Sequence, residues 1–185
     1  AITETLGTLT VTTNATAAVK LIAADAEKVY DGSALTKTDG VTWEGLPTGF
    51  TVEASSTGSQ TDAGESANVV NDGYVIKDGN GVDQTANFTN VTKVPGTLKV
   101  TKAPVTITTG DAEKEYDGTA LTNAEAGITG LVNGETATVT ATGSQTEVGS
   151  STNTYSIDWG TTDSNNYAIT ETLGTLTVTT NATAA

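Results

Sequence analysis

An all-β protein made of two small tandem domains is the fold class this sequence predicts, and three observations predict it. Threonine makes up about a fifth of the 185 residues, Gly, Ala, Val and Ser are abundant, and proline is limited to 3 residues. Threonine and valine are β-branched and favour pleated backbone, while glycine punctuates turns. Short stretches alternate apolar and polar residues with a period of two, the pattern of strands buried on one face. The chain also repeats itself at two levels, which divides it into modules.

The longer repeat is literal. Residues 1–18 read AITETLGTLTVTTNATAA, and residues 168–185 read the same letter for letter. A unit of about 167 residues therefore recurs, and the chain reads as a window on a longer array. Leu9 and Val11 form a period-2 strand pattern that is expected to belong to a preceding module. Having left its own sheet, residues 1–18 are expected either to be disordered or to add as a strand to another molecule's sheet edge.

The shorter repeat lies inside the unit. Asp25-Ala26-Glu27-Lys28-Val29-Tyr30-Asp31-Gly32-Ser33-Ala34-Leu35-Thr36 aligns with Asp111-Ala112-Glu113-Lys114-Glu115-Tyr116-Asp117-Gly118-Thr119-Ala120-Leu121-Thr122. Gly45-Leu46 matches Gly130-Leu131, and Thr57-Gly58-Ser59-Gln60-Thr61 matches Thr142-Gly143-Ser144-Gln145-Thr146. Asn87-Phe88 answers Asn166-Tyr167, and Gly96-Thr97-Leu98-Lys99-Val100 answers Gly174-Thr175-Leu176-Thr177-Val178. Blocks in one order twice over predict homologous domains at 19–102 and 103–180, with 1–18 from a preceding repeat and 181–185 leading to the next. Length differences fall between blocks, where loops tolerate them.

Strands are legible in order. In the second domain the apolar sets are Val105/Ile107, Ala137/Val139/Ala141, Tyr155/Ile157/Trp159, Tyr167/Ile169 and Leu176/Val178, each expected on one face. In the first, Trp43, Phe50, Val52, Tyr74, Ile76, Phe88, Leu98 and Val100 take comparable places, and both tryptophans are expected in the core. Tyr-Asp-Gly and Asn133-Gly134 carry the chemistry of tight turns. No segment has the pattern of an amphipathic helix; Asn123–Ala126 is suited to a single helical turn. Five to seven short strands in about 80 residues fit a small immunoglobulin-like β-sandwich, and a single curled sheet of β-grasp type is the alternative. Thr101-Lys102-Ala103-Pro104 is too short a joint to swing freely, and Pro104 holds Ala103 extended. An elongated arrangement is expected, at about 35–45 Å per domain from strand length plus turns.

Composition narrows the function. With 22 acidic and 8 basic residues the net charge is −14, which repels phosphate backbones and argues against nucleic-acid binding. Cysteine and histidine are absent, so disulfides, thiolate metal sites and the usual general base are unavailable. No apolar run is long enough to insert in a membrane, and targeting or anchoring parts are expected outside this window.

The candidate sites are few. Asp78, Asn80 and Asp83 place oxygen ligands at near-alternate positions as calcium loops do, without the later bidentate glutamate; a solvated turn fits better. Asp158 and Asp163 flank a similar turn. Tyr30-Asp31-Gly32 and Tyr116-Asp117-Gly118 could stack a sugar on tyrosine, but turn formation explains them better, since aspartate organises its own backbone and glycine supplies positive φ. No catalytic residues, cofactor or enzymatic activity are expected.

The blocks Tyr-Asp-Gly-[Ser/Thr]-Ala-Leu-Thr, Gly-Leu-x-x-Gly, Thr-Gly-Ser-Gln-Thr, Asn-[Phe/Tyr] and Gly-Thr-Leu-x-Val resemble the YDG-type, or MBG-type, repeats of large bacterial cell-surface proteins, notably Gram-positive adhesins. The resemblance covers residues 19–180. It implies an extracellular, wall-anchored protein in which such repeats hold a binding tip away from the cell, with neighbouring repeats as the expected partners. A rival implication is that each module itself recognises host glycan or protein. No catalytic residue is carried over.

Overall fold

The computed structural model describes residues 7–182 and is all-β. Its contacts gather into two compact units. The first comprises Ala1–Glu27, Leu35–Gln60 and Glu65–Lys99; the second comprises Lys28–Ala34, Thr61–Gly64 and Val100–Ala185. Two turns of first-repeat sequence thus count with the second unit.

The first repeat runs through β1 (Val19–Ile22), β2 (Ala26–Val29), β3 (Thr42–Glu44), β4 (Thr51–Glu53), β5 (Ser56–Thr57), β6 (Gly64–Val70), β7 (Val75–Lys77), β8 (Val91–Val94) and β9 (Gly96–Thr101). The second runs through β10 (Ala103–Thr109), β11 (Ala112–Glu115), β12 (Ala126–Thr129), β13 (Thr138–Ala141), β14 (Gly149–Thr152), β15 (Tyr155–Asp158), β16 (Tyr167–Thr172) and β17 (Thr175–Thr179). The strands are shorter and more numerous than the five to seven expected per domain. Three small sheets form in each repeat, ordered β3-β1-β8, β2-β9-β6-β5 and β4-β7, then β12-β10-β16, β11-β17-β14 and β13-β15. Apart from β5, which has no counterpart in the second repeat, the strands of the two topologies correspond, and several sheets replace the single sheet of the β-grasp alternative.

Each repeat is closed by its ends. β1 lies antiparallel to β3 and parallel to β8, just as β10 lies antiparallel to β12 and parallel to β16. β11 likewise runs parallel to β17. Parallel neighbours need long crossovers, so the first strands of a repeat cannot settle until its last strands arrive. Sequence periodicity finds strands but carries no record of such pairings.

The core of the first unit holds Val19, Leu21, Ala23, Val70, Ile76 and Phe88, with Phe50, Val52, Tyr74 and Val91 packed against it. Val105, Ile107, Tyr167, Leu176 and Val178 are buried in the second. Alternation places them: β17 buries Leu176 and Val178 and leaves its threonines at or near the surface. Buried asparagines occupy matching places. Asn68 Nδ2 donates to the Ala24 carbonyl at 2.8 Å, and Asn153 Nδ2 donates to the carbonyls of Gly110 and Asn123 at 3.0 Å each. Backbones also approach closely where the repeated Gly-Thr-Leu block begins, since a Cβ on Gly174 would lie 2.3 Å from the Gly110 carbonyl.

Several expectations are corrected. Trp43 is 39% exposed, because β3 is an edge strand of its small sheet and presents that face to solvent. Ile169 is also exposed, whereas Tyr167 two residues earlier is buried. Asn123–Ala126 forms no helical turn; Ala126 opens β12, and the short helical turns are 3-10 segments at Thr85–Asn87 and Ser164–Asn166. Residues 7–13 form no strand, and Leu9 and Val11 are fully exposed. Asn14 then makes a parallel bridge to Phe88 of the same chain, its N–H donating to the Asn87 carbonyl at 2.6 Å. The parts of the expected terminal segments at 1–6 and 183–185 lie outside the described residues.

Candidate functional site

In the second unit an aromatic cluster forms around one carboxylate. The turn between β12 and β13 brings up Glu135, and β16 supplies Tyr167 at its first position. Tyr30, carried by the Lys28–Ala34 segment that belongs to this unit, completes the group. Tyr30 donates its hydroxyl to Glu135 Oε1 at 2.5 Å, and Tyr167 donates to Oε2 at 2.7 Å. The two phenol rings meet edge to face at 5.7 Å, and Trp159 stacks on Tyr167 at 5.8 Å. Next to Tyr167, Asn166 is buried; its Oδ1 accepts from the Ala63 N–H at 2.7 Å and its Nδ2 donates to Asp62 at 3.0 Å.

Glu135 thus has a phenolic proton on each oxygen, and charge-assisted bonds of this kind are the stronger ones. The Tyr30 phenol is pushed up to about 12, first by donating to Glu135 and then by burial. Tyr167 is raised mainly by burial and next by the same carboxylate. Phenols that keep their protons this firmly are donors and packing groups, suited to holding surfaces together. Glu135 carried no distinguishing signal in the sequence, and Asn166 stood out only as a member of the repeated Asn-[Phe/Tyr] block. The repeat register offered the nearest hint, since Glu135 stands where the first repeat has Phe50.

Both Tyr-Asp-Gly turns have the same construction. Lys28 Nζ donates to Asp31 at 2.6 Å and to the Ser33 hydroxyl at 2.8 Å, while the Ser33 N–H reaches the same Asp31 oxygen at 2.8 Å. Lys114 repeats this on Asp117 at 2.7 Å and Thr119 Oγ1 at 2.7 Å. Asp31 is lowered to about 2 and Asp117 is lowered further, each first by its lysine and then by the N–H two residues on. The turn reading of these aspartates matches their geometry, and the sequence did not single out the two lysines as the staples.

The calcium-like residues are engaged locally. Asp78 accepts from the N–H groups of Asn80 at 2.9 Å and Val82 at 3.0 Å, and from Gln84 at 3.1 Å. Asp83 accepts from the Thr85 N–H at 2.8 Å. Asp158 and Asp163 similarly bind the N–H groups of Gly160 and Asn165. Among the described residues no three acidic side chains gather as a metal site would require. Open grooves lie beside Asp25, Glu27 and Lys99 in the first unit and beside Tyr155, Ile157 and Glu171 in the second.

A repeated turn stapled by lysine and a fold closed by its last two strands describe a module. Residues 105–177 match the family model of the MBG domain (YGX type). The resemblance drawn from the repeated blocks is borne out there, at the second repeat. MBG domains are typical of surface proteins, so this repeat is a module of surface-protein type and points to an extracellular setting. No curated protein matches the chain. Among the described residues no helix is long and apolar enough to cross a membrane.

Proposed function

We propose that the chain is a spacer segment of a bacterial cell-surface adhesin, its MBG-type repeats projecting a binding region away from the cell. The observation that carries this reading is the literal recurrence of eighteen residues at either end of a unit of matched repeats. Repetition of this kind sets reach by unit number, with no chemistry needed in each copy. Support also comes from the MBG match and from polar networks that join turns to strands in each repeat. The role requires no catalytic residue and no cofactor. Wall anchoring and a Gram-positive source follow from the resemblance, and both belong to the same proposal.

Small-angle scattering of the chain tests it, with an extended profile expected and a globular envelope contradicting it. The second reading is a module that binds host glycan or protein itself, and the 39% exposure of Trp43 favours it specifically. Saturable binding on a glycan array or to host cells, lost on Trp43→Ala, would establish that reading in place of the spacer.

A further inference from the structure

Matched positions of the two repeats differ in exposure around the Tyr-Asp-Gly turn. Tyr30 is 6% exposed, whereas its counterpart Tyr116 is 37% exposed. A Cβ on Gly32 would strike the Asn133 side chain at 2.4 Å, while one on Gly118 would meet nothing within 4 Å. Ala63 is half-buried with its N–H on Asn166, whereas its counterpart Val148 is 50% exposed. The second repeat therefore presents bare the surface that the first repeat's turns bury.

The chain path shows what would cover it. Tyr30 N–H donates to the Thr101 carbonyl at 2.8 Å, and two residues on Ala103 pairs in parallel with Tyr167. Tyr116 N–H donates to the Thr179 carbonyl at 2.8 Å, and two residues on stands Asn181, whose Nδ2 donates to the Tyr116 carbonyl at 3.2 Å. Asn181 is the literal copy of Asn14, and Asn14 pairs in parallel with Phe88. Phe88 holds the place of Tyr167, and it meets Phe50, in the place of Glu135, edge to face at 5.3 Å. One asparagine thus carries both halves of a joint in its two copies, with the same two-residue step as the joint at Ala103.

We infer that the Tyr116 turn is a docking surface, and that its partner is the Phe50–Phe88 face of a first-type domain following Asn181 in tandem. Tyr116 lies there as Tyr30 lies on Tyr167, with Val148 covered beside Asn87. The two joints differ in chemistry. At Tyr30 a carboxylate accepts the phenol, whereas at Tyr116 the receiving pair is wholly aromatic, so edge-to-face packing replaces the hydrogen bond.

This inference rests on the tandem-array reading but not on the spacer role. The test joins a second copy of residues 19–185 directly after Ala185 and replaces the outer Tyr116 by phenylalanine, so that the inner one alone reports. Nitration of the inner Tyr116 should slow roughly sixfold relative to the 185-residue chain, the ratio of 37% to 6% exposure. Val148→Asp should abolish that protection in the doubled chain and leave the single chain's near-ultraviolet dichroism unchanged. Equal nitration rates in the two chains would overturn the docking, as would protection that survives Val148→Asp. Compact scattering with Tyr116 protected would sink the spacer role and leave the joint standing; extended scattering with Tyr116 reactive would do the reverse.

Discussion

Leu9 and Leu176 stand in identical eighteen-residue sequences, yet Leu9 is fully exposed and Leu176 fully buried in β17. Changing each to alanine removes the same atoms from the same local sequence. At Leu176 the change leaves a cavity beneath β17, the central strand of its sheet, and buried Leu→Ala changes cost about 2–5 kcal/mol. At Leu9 no packing is lost, so the change should stay within about 0.5 kcal/mol. For a unit of this size each kcal/mol shifts the midpoint by about 4–8 °C. Trp159, stacked on Tyr167 in the same unit, provides the fluorescence signal once Trp43 is replaced by phenylalanine. Thermal and urea unfolding of the two variants should therefore differ by about 8 °C or more and by about 2 kcal/mol or more. Similar losses at both positions, or a loss under about 1 kcal/mol at Leu176, would refute the assignment of β17 as the strand that closes the unit.

Gly174→Ala should destabilise the second unit by several kcal/mol, because the added Cβ meets the Gly110 backbone at 2.3 Å and backbone cannot swing aside; chemical denaturation measures it. Asp31, lowered to about 2 by Lys28, should return toward the ordinary carboxylate range in Lys28→Met, read by carboxyl NMR titration. Its contribution is present above the unfolded value of 3.8 and is lost as pH falls through about 2, so only the parent chain should show that acid step. Tyr30 behaves in the opposite sense: raised from 10.0 to about 12, it supports folding fully below pH 10 and loses that support as pH rises toward 12. Tyr30→Phe should flatten the alkaline decline in stability, followed by dichroism against pH, and should cost about 1–3 kcal/mol at neutral pH for the lost bond to Glu135.

The repeated blocks, much of the strand pattern and the turn chemistry were legible along the chain. Period-2 alternation, Tyr-Asp-Gly chemistry and repeated blocks are local properties, and local backbone preferences act on them directly. Val105, Ile107, Leu176 and Val178 were legible as core for this reason, as was the turn role of Asp31 and Asp117. Only in the folded chain do the parallel pairings of β1 with β8 and β10 with β16 emerge, together with the exposure of Trp43 and Ile169 and the meeting of Tyr30 with Glu135 and Tyr167. These depend on residues far apart in the chain, whose encounter no local pattern encodes. The eighteen shared residues state the division most plainly: as 168–179 they form most of β16 and all of β17, and as 7–13 they form no strand, because a strand exists only where a neighbour accepts its hydrogen bonds and covers its apolar face.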